Sequence, residues 1–167
     1  MRFEKYHGLG NDFIFLRDCK EKLLPQGGEL AKRLCHRNFG IGADGLVLIT
    51  GGPALYTMRI FNPDGSEAEM CGNAIRCLAA YLVKHDLAAG PRLNIGTIGG
   101  IKEIKIAGDQ YVVDMGEPDF TFGQGKAAEL EAGGKSWTVY PISLGNPHGV
   151  TFPDDLDGLD IAAWGPL

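Results

Sequence analysis

The sequence has no excess of basic residues and no long hydrophobic run. Its 16 Lys and Arg residues stand against 21 Asp and Glu, a formal net charge of −5. Nucleic-acid binders and proteins of anionic membrane surfaces need a basic face. No apolar stretch approaches the roughly 18 residues that span a bilayer, and residues 1–7 carry charges where a secretory signal is apolar. We therefore expect a cytoplasmic protein that binds neither nucleic acid nor membrane.

Cysteine and histidine are also sparse, with four of each. The cysteines have no C-x-x-C spacing and are too few for a disulfide scaffold. The histidines lack the spacing of zinc ligands. We therefore expect reduced thiols and no metal, so that each cysteine is either a small core residue or a reactive group. Cys19 and Cys35 are interpreted as structural.

Glycine, in contrast, is abundant at 25 of 167 residues, roughly twice its usual share. No G-X-Y period accompanies it, which excludes collagen. The excess must serve turns, helix caps and places where the backbone approaches a ligand. Gly27 and Gly28 are interpreted as ordinary loop residues. The hydrophobic content of 44% is sufficient for a packed core.

Short β-rich runs dominate the rest of the pattern. Few helices separate them, which favours meanders over βαβ units. One helix is predicted at residues 29–36. The predicted strands are residues 12–16, 46–50, 55–61, 92–97, 101–106, 111–115, 137–142 and 149–152.

A second predicted helix, residues 72–85, is apolar around nearly its whole circumference. Such a helix must be buried on all sides, and a short strand-rich chain achieves this by wrapping a sheet around it. The predicted fold is therefore α+β, with a mixed, mostly antiparallel, barrel-like sheet around a central buried helix. A loop-like stretch places a boundary near residue 117. We expect a first domain at 1–117 and an incomplete second one at 118–167, which has too few strands to close alone.

The segment Gly40–Gly45 matches the G-x-G-x-x-G pattern of dinucleotide sites. That mechanism needs the glycines to follow a strand and open a helix, so that the helix N-terminus faces the pyrophosphate. Here a predicted helix precedes the motif and a strand follows it. We therefore reject nucleotide binding.

The segment with the most chemistry leads into the buried helix. Cys71 lies just before the helix, where free amide donors and the helix dipole stabilise a thiolate. The amides of Gly72, Asn73 and Ala74 can also hold a carboxylate ligand. The alternative is an inert cysteine that flanks a helix, and the residues alone leave both interpretations open.

Two further polar clusters contain histidine. His148, within Gly145-Asn146-Pro147-His148, follows a predicted strand and is a candidate base for the Cys71 proton. It is equally compatible with a solvated loop histidine. The segment 7–12 is a glycine-rich entry to a strand, which alone is typical of a plain turn.

Together these segments closely resemble the diaminopimelate epimerase family of pyridoxal-independent amino-acid epimerases. The matching stretches occur in the family's order over most of the chain. The Cys-Gly-Asn and Gly-Asn-Pro-His elements are the specific ones. The stretches are residues 7–13, 40–44, 59–67, 70–77, 113–118 and 145–148.

The resemblance implies a fold of two similar halves, each a sheet around a central helix, with the active site between them. It implies that Cys71 is one of two catalytic cysteines, assisted by His148, and that the amides of Gly72 and Asn73 bind the α-carboxylate. It implies interconversion of LL- and meso-diaminopimelate for lysine and cell-wall synthesis by a homodimer with no metal and no organic cofactor. The implied substrate contacts are Asn11, Asn62, Asn73 and Asn146.

The sequence departs from the family pattern in two places. Gly45 stands where many members carry glutamine, and the family's second half, with its second cysteine motif, is not present. Cys77 cannot replace that cysteine because it lies six residues along the same helix, so we expect the 167-residue chain alone to be inactive. Two alternatives remain: a racemase of the proline, hydroxyproline or histidine type, and a non-catalytic amino-acid-binding half-domain.

Overall fold

The computed structural model describes residues 1–88 and 90–164 of the chain. Contacts divide it into two compact units, Met1–Met115 and Gly116–Leu167. The first unit consists of β1 (Glu4–Gly8), β2 (Asn11–Arg17), α1 (Gly27–Leu34), β3 (Gly45–Gly52), β4 (Leu55–Phe61), β5 (Glu67–Ala68), α2 (Gly72–Lys84), β6 (Arg92–Thr97), β7 (Gly100–Ala107) and β8 (Gln110–Val113).

The strands of the first unit form one sheet in the order β1-β2-β3-β4-β6-β7-β8, with β5 paired to β4. All pairs are antiparallel except β2 with β3 and β4 with β6. The helix α2 contacts both β1 and β8, the two ends of this order, so the sheet must curl around the helix. The predicted α+β fold, with a mostly antiparallel sheet around a central helix, is confirmed.

The sheet buries apolar residues on both faces over β2 and β3. Side chains alternate between the faces of a strand. Phe13 and Phe15 therefore pack with α2 in one core cluster, while Ile14 and Leu16 pack with α1 on the outer face. This double burial explains why residues 13–16 are apolar without interruption.

The burial of α2 is nearly complete. Seven of its residues are buried, but Arg76 and Ala80 are only partly buried and Val83 is 38% exposed. These three positions form one stripe on the helix, and the first two line a groove of about 560 Å³ beside residues of β1 and β8. The expectation of burial on all sides is therefore wrong along this stripe, because β1 and β8 do not pair with each other. The buried residues are Ala74, Ile75, Cys77, Leu78, Ala79, Tyr81 and Leu82.

The glycine pair Gly27–Gly28 begins α1, so its interpretation as loop is wrong. A Cβ atom on Gly27 would lie 2.3 Å from the ring of Phe61, and one on Gly28 would lie 2.6 Å from the carbonyl oxygen of Gly65. Glycine is needed here because the helix backbone approaches the end of β4 and its following turn too closely for any side chain. The helix also begins and ends two residues earlier than the predicted 29–36.

The strand β1, which the sequence did not predict, is attached to both ends of α2. At the C-terminal end, Lys84 donates to Glu4 at 2.7 Å, and the hydroxyl of Tyr6 donates to the same carboxylate at 2.9 Å. At the N-terminal end, Gly8 packs directly against Asn73, and a Cβ on Gly8 would lie 3.3 Å from the Cβ of Asn73. This strand therefore holds the start of β2 beside the first turn of α2.

The second unit contains β9 (Ala128–Ala132), β10 (Lys135–Ser143), β11 (Pro147–Val150) and a short helix α3 (Ile161–Trp164). Its strands form an antiparallel sheet in the order β11-β10-β9. The last strand begins two residues before the predicted 149–152, and β9 was not predicted. Of the side chains described between residues 116 and 164, none is fully buried.

In the described part of the chain, no helix is both long enough and apolar enough to cross a membrane.

The different burial in the two units predicts different local stability. Amides of residues 74–82 of α2 should exchange with solvent orders of magnitude more slowly than those of residues 128–150, because helix opening requires loss of the main core. Hydrogen–deuterium exchange with peptide-level mass spectrometry measures this. Fast exchange throughout residues 74–82 would show that α2 is not the core of the sheet.

The contact between β1 and α2 predicts a pH dependence of stability. The hydrogen bond from Lys84 is the main cause that lowers the pKa of the Glu4 carboxyl from 4.5 to about 2. A lowered pKa in the folded state stabilises the fold above pH 4.5, and this contribution is lost as the pH falls from about 4.5 to about 2. Glu4→Gln should therefore cost about 1 kcal/mol or less at pH 7 and should weaken the pH dependence of urea unfolding in this range.

A matched control is Glu29→Gln, because Glu29 pairs with Lys32 at 2.8 Å, close to the 2.7 Å between Lys84 and Glu4, but on an exposed helix surface. Lys32 also lowers the pKa of Glu29, but solvent screens this exposed pair, so this variant should change the acid limb of the stability curve less than Glu4→Gln does. Equal effects of the two substitutions would contradict the role of Glu4.

Candidate active site

The side chain of Cys71 lies at the N-terminal cap of α2. The first bond of the helix runs from the amide of Ile75 to the carbonyl of Cys71 at 3.0 Å. The amides of Gly72, Asn73 and Ala74 therefore precede the helical ladder, and no acceptor for them is recorded among the described residues. These donors and the positive end of the helix dipole favour an anion at this position. Cys71 itself is partly buried, so a ligand can reach it.

Asn11 contacts the thiol of Cys71 and is held there by Asn73. The Sγ atom of Cys71 lies 3.9 Å from Oδ1 of Asn11, at the start of β2. The same oxygen accepts a hydrogen bond of 3.3 Å from Nδ2 of Asn73, in the first turn of α2. Arg76, one helical turn on, donates to Oδ1 of Asn73. The structure thus brings together four of the predicted site residues: Asn11, Cys71, Gly72 and Asn73.

A charged cluster on the other side of Asn11 was missed by the sequence analysis. Nδ2 of Asn11 donates to the carboxylate of Asp44 at 3.0 Å, and the amide of Asp12 donates to the same oxygen at 3.0 Å. Arg37 bridges the two carboxylates at 2.9 Å to Asp12 and 2.6 Å to Asp44, and Lys5 pairs with Asp12 at 2.8 Å. Asp12 and Asp44 lie within the family-matching stretches 7–13 and 40–44, but no sequence pattern paired them with each other or with Arg37.

The pKa values of this cluster are shifted by identifiable contacts. The hydrogen bond from Arg37 is the main cause of the low pKa of Asp12. The hydrogen bond from Asn11 is the main cause that lowers the pKa of Asp44. Both carboxyls are therefore ionised near neutral pH and act only as acceptors.

Asn62 lies at the same edge of the sheet but in a different local structure. Asn62 directly follows Phe61, which pairs with Leu46 of β3. Gly45, the residue before Leu46, pairs with Phe13 of β2. Nδ2 of Asn62 donates to the hydroxyl of Ser66 at 2.9 Å. The register thus places Asn62 at the sheet edge where Asn11 and Asp44 lie, and its predicted role as a substrate contact stays a prediction.

The other two predicted site residues lie in the second unit, on the hairpin of β10 and β11. Nε2 of His148 lies 3.0 Å from Oδ1 of Asn146, and His148 pairs with Ile142 across the hairpin. His148 is exposed and Asn146 is partly buried. The predicted assistance of Cys71 by His148 stays a prediction.

The remaining cysteines differ from Cys71. Cys35 and Cys77 are buried, and burial raises the pKa of each thiol to about 11. Both environments are typical of structural cysteines. Cys19 is exposed and accepts a hydrogen bond of 3.3 Å from Nε of Arg17, so its interpretation as a structural residue is not supported by burial. Among residues 1–88 and 90–164, no three His, Cys, Asp or Glu side chains are grouped as metal ligands.

The fold of the chain is similar to those of solved structures. A hydroxyproline epimerase from Agrobacterium vitis matches with a TM-score of 0.64 at 12% identity, over 89% of this chain and 50% of that one. A phenazine biosynthesis protein of the PhzF family from Bacillus anthracis matches with a TM-score of 0.59 at 16% identity, over 89% of this chain and 53% of that one. At such low identity these likenesses establish the fold alone.

Sequence relatives are closer. A diaminopimelate epimerase of Pelotomaculum thermopropionicum is 43% identical over 100% of this chain and 65% of its own length. A diaminopimelate epimerase of Trichodesmium erythraeum is 46% identical over 98% of this chain and 64% of its own length. The chain thus spans a little less than two thirds of these relatives. The family model described as diaminopimelate epimerase matches residues 3–121, and the chain belongs to the diaminopimelate epimerase family.

Proposed function

We propose that this chain supplies one side of a cofactor-independent, two-base epimerisation of LL-diaminopimelate to meso-diaminopimelate, a step of lysine biosynthesis. The observation that carries the proposal is the position of Cys71. Cys71 is the N-cap residue of a buried helix whose next three amides have no acceptor among the described residues, and its thiol contacts Asn11, which Asn73 in turn holds.

The chemistry explains why a cysteine is needed at such a position. Inversion of a stereocentre removes the α-proton on one face and returns a proton on the other, which two acid/base groups achieve without moving the substrate. The α-proton of an amino acid is only weakly acidic, so the charge that develops on the carboxylate must be stabilised by fixed donors. The amides of Gly72, Asn73 and Ala74 are such donors and directly follow Cys71 in the first turn of α2.

Substrate recognition in this proposal relies on asparagines, which donate and accept and so suit a zwitterion. Diaminopimelate has two amino-acid ends, which accounts for the proposed contacts Asn11, Asn62, Asn73 and Asn146. We also propose that His148 assists Cys71. When Nε2 of His148 donates to Asn146, Nδ1 has the free lone pair of a base.

The second acid/base group must come from outside the N-terminal half. Cys77 is buried and lies about 9 Å along the same helix from Cys71, so it cannot reach the opposite face of a bound substrate. We propose that residues 1–117 are the half with the catalytic cysteine and that residues 118–167 begin the second half. The lack of fully buried side chains described in residues 116–164 and the 65% coverage of the relative support this division. The enzyme is proposed to be a cytoplasmic homodimer without metal or organic cofactor.

The first prediction from this proposal concerns the chain as it stands. Incubated with LL-diaminopimelate, the 167-residue chain should form meso-diaminopimelate no faster than the buffer alone, because inversion needs two acid/base groups and the chain supplies one. Chromatographic separation of the two stereoisomers measures this. A chimera that adds the last third of the Pelotomaculum relative should convert LL- to meso-diaminopimelate and should leave proline, hydroxyproline and histidine unchanged. Ordinary turnover by the chain alone, or a preference for another amino acid, would contradict the proposal.

A second prediction concerns Cys71. In the chimera, Cys71→Ser should lower epimerisation by about a thousandfold or more, since a serine hydroxyl is a poor acid/base group near neutral pH. The circular dichroism spectrum should not change. Cys19→Ser is the matched control, because Cys19 is exposed and has no contact with Cys71 among those described. Retention of activity by Cys71→Ser would remove Cys71 from the mechanism.

A further inference from the structure

A directional chain of hydrogen bonds runs past the thiol of Cys71. Arg76 donates to Oδ1 of Asn73, Nδ2 of Asn73 donates to Oδ1 of Asn11, and Nδ2 of Asn11 donates to Asp44. Each asparagine therefore donates in the same direction along the chain. The two ends are ions of opposite sign, a guanidinium that can only donate and a carboxylate that can only accept.

The charges at the ends fix which way each amide faces. The two ends of an asparagine amide have nearly the same shape, so packing alone does not select between them. A carboxylate at Asp44 requires the NH₂ group of Asn11, and the amide oxygen of Asn11 must then face away from Asp44. That oxygen is the atom 3.9 Å from Sγ of Cys71.

The direction of the Asn11 amide has a chemical consequence for the thiol. An amide oxygen accepts a hydrogen bond from S–H but repels a thiolate, whereas an NH₂ group in its place would donate to the thiolate. The oxygen thus opposes the N-terminus of α2, which favours the thiolate. A group that must both hold and release a proton benefits from such opposed influences.

We propose that Asp44 is a positioning residue, which acts through the Asn11 amide to hold the proton on Cys71 in the ligand-free protein. The inference deepens the proposed function, because it specifies how the acid/base group of that reaction is set. Arg37 keeps Asp44 in place from the opposite side, through its ion pairs with Asp44 and Asp12. It makes no described contact with Asn11.

The test measures the proton affinity of Cys71 through its alkylation. The 167-residue chain with Cys19→Ser is treated with iodoacetamide from pH 6 to pH 10, and modification of Cys71 is followed by peptide mass spectrometry. Asp44→Asn should lower the pH of half-maximal rate by about 0.7 unit, the equivalent of about one net hydrogen bond of 1 kcal/mol. Alkylation at neutral pH should rise about fivefold. A change in the solvent access of Cys71 alone would alter the maximal alkylation rate at high pH. It would leave the pH of half-maximal rate unchanged.

Three further variants distinguish an effect that passes through the Asn11 amide from a general disturbance of the site. Asn11→Ala removes the oxygen and should shift the midpoint in the same direction, which keeps the test available if Asp44→Asn does not fold. In the Asn11→Ala background, Asp44→Asn should add nothing. Arg37→Gln disturbs the same charged cluster but leaves the link from Asp44 to Asn11, so it should not lower the midpoint.

Three outcomes would overturn the proposal. The first is an unchanged pH of half-maximal rate in both Asp44→Asn and Asn11→Ala. The second is a full shift of this pH when Asp44→Asn is added to Asn11→Ala, and the third is an equal shift in Arg37→Gln. Alkylation needs neither substrate nor turnover. The positioning role can therefore fail while epimerisation by the chimera succeeds, and the reverse also holds.

Discussion

The burial of α2 is the constraint on which the rest of the first unit depends. A helix that is apolar on nearly every side has no stable place in water, and the curled sheet supplies the surface that covers it. A helix enclosed in this way must present its first turn at the end of the sheet. That turn holds amide groups outside the helical ladder. The hydrophobic effect thus places a set of polar donors, and Cys71 with them, where a small anion can bind.

The positions of the neighbouring polar residues follow from strand register. β2 and β3 run parallel, and β4 runs back beside β3. The start of β2, the start of β3 and the end of β4 therefore meet at one edge of the sheet. Asn11 is the first residue of β2, Asp44 directly precedes β3, and Asn62 directly follows β4. The close contact of Gly8 with Asn73 brings this edge to the first turn of α2. Residues far apart in sequence become neighbours because the strands fix their ends.

The sequence predicted features that depend on local pattern and missed those that depend on tertiary contact. The bounds of the strands at Leu55–Phe61 and Arg92–Thr97 are those predicted, since alternation and turn residues define them locally. β1 was missed because its residues are largely polar and its partners are β2 and α2. Gly27 could not be recognised as helical, because its need for glycine comes from the ring of Phe61. Asp44 was not singled out within the stretch 40–44, since its contacts with Asn11 and Arg37 form only in the folded chain.

Charge, and not packing, specifies the orientation of the amide side chains at this edge of the sheet. Apolar contacts determine where Asn11 and Asn73 lie, but they are nearly indifferent to which end of each amide points inward. Arg76 and Asp44 decide this, since one only donates and the other only accepts. Polar side chains at such an edge are partly hydrated, so their ion pairs add little to the stability of the fold. Their value is the selection of one hydrogen-bond direction among two of similar energy, which a proton-transfer site requires and a hydrophobic core cannot provide.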